Sequence, residues 1–182
     1  MKTLVVHPAD PSTEFLKEIY EGKDWTVNND FNGLRKKLIE QIESHDRIIM
    51  MGHGSPGGLF YTPIRSDLVY LLREKECVCI WCNADQFVLR YGLKGFYTGM
   101  FISEVGEANY FKIETTQEKI DYSNDLFTKA VKKYIDSEDM QGQIVEAYRG
   151  DDLVIQYNNK RLYYRDEENV LNDKNLRDEQ VF

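Results

Sequence analysis

Residues 47–54, RIIMMGHG, and residues 77–85, CVCIWCNAD, decide how this chain folds. Each begins as a short apolar run and ends where glycine or polar residues take over. Runs of this length bounded by turn signals read as buried strands. The first delivers His53 between Gly52 and Gly54, and the second delivers Cys82 just after Ile80 and Trp81. Between them lie the glycine-rich turn GHGSPGG (52–58) and a helical pattern, opened by Ser66 or Asp67, that runs through Leu68, Leu71 and Leu72 to Lys75. Strand, turn, crossover helix and return strand make a parallel pair of neighbours. An imidazole and a thiol then stand at the same edge of one sheet.

Working outward, residues 4–7 predict a strand ended by Pro8-Ala9-Asp10-Pro11. Ser12 or Thr13 can cap a helix over 14–20, with Phe15, Leu16 and Ile19 inward and Gly22 as its stop. Residues 24–28 (DWTVN) fit a second strand. Asn32-Gly33-Leu34 opens an amphipathic helix to about Ser44, with Leu34, Leu38, Ile39 and Ile42 on its apolar face. Beyond Cys82, a turn or short helix with Phe87, Val88 and Leu89 precedes a strand candidate at 96–103 (FYTGMFIS). Strands and helices alternating at this spacing predict an α/β domain, a three-layer sandwich around a mainly parallel sheet.

After Glu104 the pattern changes. Residues 109–113 read as helical, and Ser123-Asn124-Asp125 cap a helix to Ile135 with Leu126, Phe127, Ala130, Val131 and Tyr134 inward. A sixth strand is expected at 144–148. LVIQY-NN-KRLYY (153–164) predicts a C-terminal β-hairpin, because Asn158-Asn159 suits the positive backbone angles of a two-residue turn. Residues 1–165 therefore form a single domain, followed by a charged tail over 166–182.

Hydrophobic content of 42% beside 30% charged residues predicts a soluble globular chain. A net charge of −8 argues against nucleic acid, whose phosphates need Lys and Arg, and against anionic membranes. No run approaches the roughly 20 apolar residues of a membrane span. The N-terminus lacks the longer apolar region of a signal peptide. The three cysteines fall between 77 and 82, too close for a disulfide framework, so a reducing cytoplasm is expected.

In open α/β sheets, ligands bind beyond the carboxyl ends of the strands. His7, His53, Cys82 and Glu104 fall at predicted carboxyl ends. A cysteine needs a neighbouring base or cation to become a thiolate near neutral pH, and histidine commonly serves. His53 between two glycines is a poor core residue, whereas Cys77 and Cys79 read as core. His7, before Pro8, is a candidate site residue, but strand-end histidines more often only cap or hydrogen-bond, and His45 precedes a strand at the opposite edge. Strand alternation sends Cys77 and Cys79 to one face and Cys82 to the other, so no metal site is expected. GHGSPGG lacks the lysine of a phosphate loop, and Pro56 removes a backbone N–H. No cofactor is expected.

The two blocks, IIMMGHG with His53-Gly54 and CVCIWC with Cys82, resemble the caspase-like (clan CD) cysteine peptidases, a group that includes caspases, legumains, gingipains and CHAT-type proteases. The resemblance covers the order of elements over about residues 3–103, though its specific motif is two short blocks. Trp81 and Asn83 stand where many members carry a small residue and a glycine. The resemblance implies a sheet ordered 2-1-3-4-5-6, with His53 as general base or acid. It makes Cys82 the nucleophile toward the carbonyl of a peptide or protein substrate. The N–H groups of Gly54 and Cys82 would be the oxyanion donors. Glu104, Asp85 and Asp10 are acidic groups near the same edge that would favour a basic substrate side chain. Two other readings stay open: a catalytically inert caspase-like or flavodoxin-like binding module, and a hydrolase or transferase acting on a non-peptide acyl group.

Overall fold

The computed structural model describes residues 1–30, 35–61, 64 and 66–166. The apolar runs at its centre form strands β1 (Thr3–Val6), β2 (Thr26–Asn28), β3 (Arg47–Met51), β6 (Glu76–Ile80) and β7 (Lys94–Thr98). A short hairpin, β4 (Gly54–Ser55) and β5 (Gly58–Leu59), follows β3, and β8 (Leu162–Arg165) comes last. The six-stranded sheet has the order β2-β1-β3-β6-β7-β8. Counting only its own strands along the chain, that order is 2-1-3-4-5-6. Every pair is parallel except β7 with β8. The β3–β6 register sets Met51 opposite Ile80, so both strands end at the same level.

Both faces of the sheet are covered, which is why its central strands are almost continuously apolar. Ile48 and Met50 point to one side, with Cys77 and Cys79, against α1 (Arg35–Glu43), α2 (Val69–Leu72) and α3 (Ala84–Tyr91). Ile49 and Met51 point to the other, with Val78 and Ile80. There they meet a 3₁₀ helix (Pro11–Ile19), α5 (Gln117–Tyr134) and α6 (Met140–Ala147). The result is the expected three-layer α/β sandwich. A smaller cluster joins Ile102 and Ala108 of the loop and α4 (Val105–Tyr110) to Ile120 and to Val154 of α7 (Leu153–Asn159). Among the described residues, no helix is long and apolar enough to cross a membrane.

The C-terminal third differs from the sequence reading in three places. The sixth strand expected at 144–148 is instead α6, whose start is capped by Asp139 accepting from Gly142 N at 3.1 Å. Met140 and Ile144 are its buried residues, one helical turn apart. The expected β-hairpin at 153–164 is half helix. Asp152 caps α7 by accepting from Val154 N at 2.8 Å, and Val154, Ile155 and Asn158 are buried at helical spacing. Asn158 makes no turn: its amide accepts from Ile102 N at 2.7 Å and donates to Ile102 O at 2.8 Å, pinning the loop after β7. The second half of that stretch is β8, and its partner is β7 rather than residues 153–157. Finally, α5 starts at a cap on Thr116, so Ser123 and Asn124 lie buried inside the helix. The expected start of the first amphipathic helix at 32–34 and the tail past Asp166 lie outside the described residues.

Candidate active site

The chain leaves β3 through Gly52, at a φ of 141° that side-chain-bearing residues rarely adopt. Gly52 N donates to Ile80 O at 3.1 Å, which keeps the ends of β3 and β6 together just before His53 and Cys82. The β4–β5 hairpin then folds over Trp81, whose indole N–H donates to Ser55 O at 3.1 Å. Gly54 is required there because a Cβ would overlap the Trp81 ring. Trp81 is therefore a buried floor under the hairpin. Beyond it, Asn83 adopts a left-handed conformation (φ 64°) and donates its N–H to Gly99 O at 3.1 Å, turning the chain at Cys82.

His53 Nε2 lies 2.6 Å from Ser12 Oγ, at the start of the 3₁₀ helix. Ser12 Oγ donates in turn to Asp10 Oδ1 at 2.6 Å, and Ser12 N donates to the same oxygen at 2.9 Å. The Ser12 hydroxyl and N–H hold the Asp10 carboxyl below the usual carboxylate range. Asp10 thus caps the 3₁₀ helix and stands 4.0 Å from the imidazole.

Cys82 faces a different set of partners. Its thiol lies 3.4 Å from Phe101 O and 3.6 Å from Glu107 Oε1. The other Glu107 oxygen accepts from Ser103 N at 2.8 Å and from Glu104 N at 3.2 Å, forming a capping box at the start of α4. Burial pushes the Cys82 thiol up to about 12, and the charge of Glu107 adds to the shift. The resting thiol is neutral. Among the described residues, no hydrogen bond joins it to His53.

Both side chains nevertheless line one cleft, together with Phe15, Trp81, Phe101 and Ser103. It encloses about 20 Å³, room for one water and no more. Phe15 and Ser103 also border a larger cleft of about 610 Å³, walled by Ser12, Glu104, Gln117, Asp121 and Asn124. That volume lies in the range of small-molecule and side-chain pockets.

The structure thus brings His53, Gly54, Cys82 and Asp10 to one place and sets Glu104 in the adjoining cleft. Asp85 lines neither cleft. It sits in the first turn of α3, where burial raises its carboxyl and, among the described residues, Oδ1 has no hydrogen-bond partner. His7 is a core residue. Its ring nitrogens meet Tyr20 Oη at 3.1 Å and Thr13 Oγ1 at 3.2 Å, and burial lowers it to about 4, so it is neutral. Sequence reasoning missed Ser12 and Glu107 as site residues. The Asp10-Pro11-Ser12 cap pattern and the Glu104-x-x-Glu107 box were the available signals. Among the described residues, no cluster of three His, Cys, Asp or Glu side chains could hold a metal ion. No protein-family model matches this chain, and no curated protein matches it significantly.

Proposed function

We propose that this protein is a cysteine-type peptidase-like hydrolase in a resting, closed state, with His53 and Cys82 as its dyad. The observation that carries this reading is the placement of both residues two positions beyond the ends of adjacent parallel strands, lining one cleft. The strand order 2-1-3-4-5-6 supports the caspase-like resemblance from which the roles come. In the reaction, the Cys82 thiol gives its proton to His53, and the thiolate attacks the substrate carbonyl. The tetrahedral intermediate collapses as the departing amine takes the proton from His53. Water, deprotonated by His53, then releases the acid and restores the thiol. Gly54 N–H and Cys82 N–H are the proposed oxyanion donors. Because Phe60 N donates to His53 O, the next pair, Gly54 with Leu59, is a non-hydrogen-bonded one. Its Gly54 N–H therefore points away from β5.

The larger cleft is the proposed substrate-side-chain pocket. Glu104 and Asp121 contribute negative charge and, among the described residues, no cation lines it, which suits a lysine or arginine side chain. Fluorogenic peptides that differ only in the residue before the scissile bond test both points. Faster turnover with Arg or Lys than with Asp or Leu, lost in Cys82→Ala and in His53→Ala, is the expected result. Cleavage that survives Cys82→Ala rules out the mechanism.

A second reading, the catalytically inert binding module, is favoured by the neutral Cys82 thiol and the 20 Å³ cleft. It predicts no turnover with any peptide or ester in such a panel, and no Cys82-dependent adduct with an acyl-directed probe.

A further inference from the structure

The Ser12 hydroxyl has one proton and two neighbours at 2.6 Å, Asp10 Oδ1 and His53 Nε2. An ionised carboxylate only accepts hydrogen bonds. Two oxygens 2.6 Å apart need a proton between them, and the carboxylate has none to give. The Ser12 proton therefore lies toward Asp10, and a lone pair of Ser12 Oγ faces the imidazole. For a 2.6 Å contact to be attractive, His53 Nε2 must carry the ring proton.

We infer that Asp10 and Ser12 are positioning residues for His53: the chain Asp10–Ser12–His53 fixes the neutral ring in its Nε2–H tautomer and leaves Nδ1 as the nitrogen with a free lone pair. The inference rests on the His53/Cys82 reading for its use, because a proton leaving Cys82 must then arrive at Nδ1. The imidazolium so formed keeps its Nε2–H bond to Ser12, and the Asp10 carboxylate 4.0 Å from Nε2 offsets the new charge. Among the described residues, Nδ1 of His53 has no hydrogen-bond partner competing for that lone pair. The same logic of base and orienting group holds in nucleophilic sites generally, but the orienting group here is a hydroxyl backed by a carboxylate.

Nuclear magnetic resonance of the ¹⁵N-histidine-labelled full chain, about two pH units above the free imidazole value of about 6.5, tests the assignment without substrate. The expected spectrum shows the His53 ring proton on Nε2, downfield and slow to exchange. Ser12→Thr, which keeps the hydroxyl, retains the signal. Ser12→Ala loses its downfield shift and protection, and the other histidines serve as folding controls. Asp10→Asn keeps a side-chain acceptor for the cap but removes the charge, and moves the signal upfield. A ring proton on Nδ1, or an Nε2 proton indifferent to Ser12→Ala, overturns the inference. These outcomes are independent of turnover. A relay seen in a protein without peptidase activity would sink the hydrolase reading and leave the tautomer assignment standing.

Discussion

The three histidines show how place in the fold sets chemistry. His45 packs near the sheet's amino end, with Nδ1 2.6 Å from Gln41 O and Nε2 2.9 Å from Thr26 Oγ1. His7, buried and lowered to about 4, makes folding sensitive to acid. Its unfolded value is about 6.5, so the unfolded chain takes up the proton first. The stabilisation is complete above about pH 6.5 and is lost as the pH falls through 4. A shift of that size corresponds to roughly 3 kcal/mol. Urea denaturation at about pH 7 and about pH 4.5 should show this loss, and a His7→Gln protein should show a shallower one. Cys82 carries the opposite lesson. Burial and Glu107 keep its thiol neutral. Glu107→Gln should therefore move the inflection of Cys82 alkylation by iodoacetamide below about 12, though burial keeps it above the free-cysteine value of about 8.5. A profile identical to the parent would mean that Glu107 does not hold the thiol.

At the level of elements, what could be read from sequence depended on whether a segment's periodicity matched one structure alone. RIIMM and CVCI are too short and too β-branched for helices, and both form strands. The stretch LVIQY reads equally as a strand, but Asp152 supplies a cap, and burial of Val154, Ile155 and Asn158 selects the helix. Asp152→Ala should cost about 1 kcal/mol in urea denaturation, since the cap hydrogen bond to Val154 N is lost. A strand at these positions would leave stability unchanged. Ser123 and Asn124 misled for a similar reason. They look like caps, but Ser123 Oγ is 2.7 Å from Tyr148 Oη, and Asn124 Nδ2 donates to Ser103 O at 3.0 Å. Those partners are distant in sequence, so no local pattern announces them. Within the site, His53 and Cys82 were legible because strand ends are local. The Asp10–Ser12 link to His53 crosses from the start of the 3₁₀ helix to the turn after β3 and was not.

Across the whole molecule, the buried cation of Arg47 ties the sheet to the helical layer behind it. Arg47 opens β3, is 2% exposed, and bonds Asp136 at 2.7 Å, Ile135 O at 3.1 Å and Thr3 Oγ1 at 3.2 Å. Its guanidinium also lies 5.1 Å from the centre of the Trp25 ring. Burial works against ionisation of Asp136, but hydrogen bonds from Arg47 and Lys23 outweigh it and hold the carboxyl low. The two partners are unequal, because Asp136 is half exposed and Arg47 is not. Asp136→Ala, which strands a buried charge, should cost about 2–3 kcal/mol by urea denaturation. Arg47→Met, which leaves a carboxylate free to meet water, should cost less, and the reverse order would contradict the asymmetry. The same architecture brings His53 and Cys82 to the sheet's carboxyl edge, where they form the proposed dyad. Its most direct test is to incubate the protein with a chloromethyl ketone of a short peptide ending in arginine, then map the adduct by peptide mass analysis. A single adduct on Cys82, absent from Cys77 and Cys79 and lost in His53→Ala, is the predicted result. No adduct on Cys82, or equal labelling without His53, would contradict it.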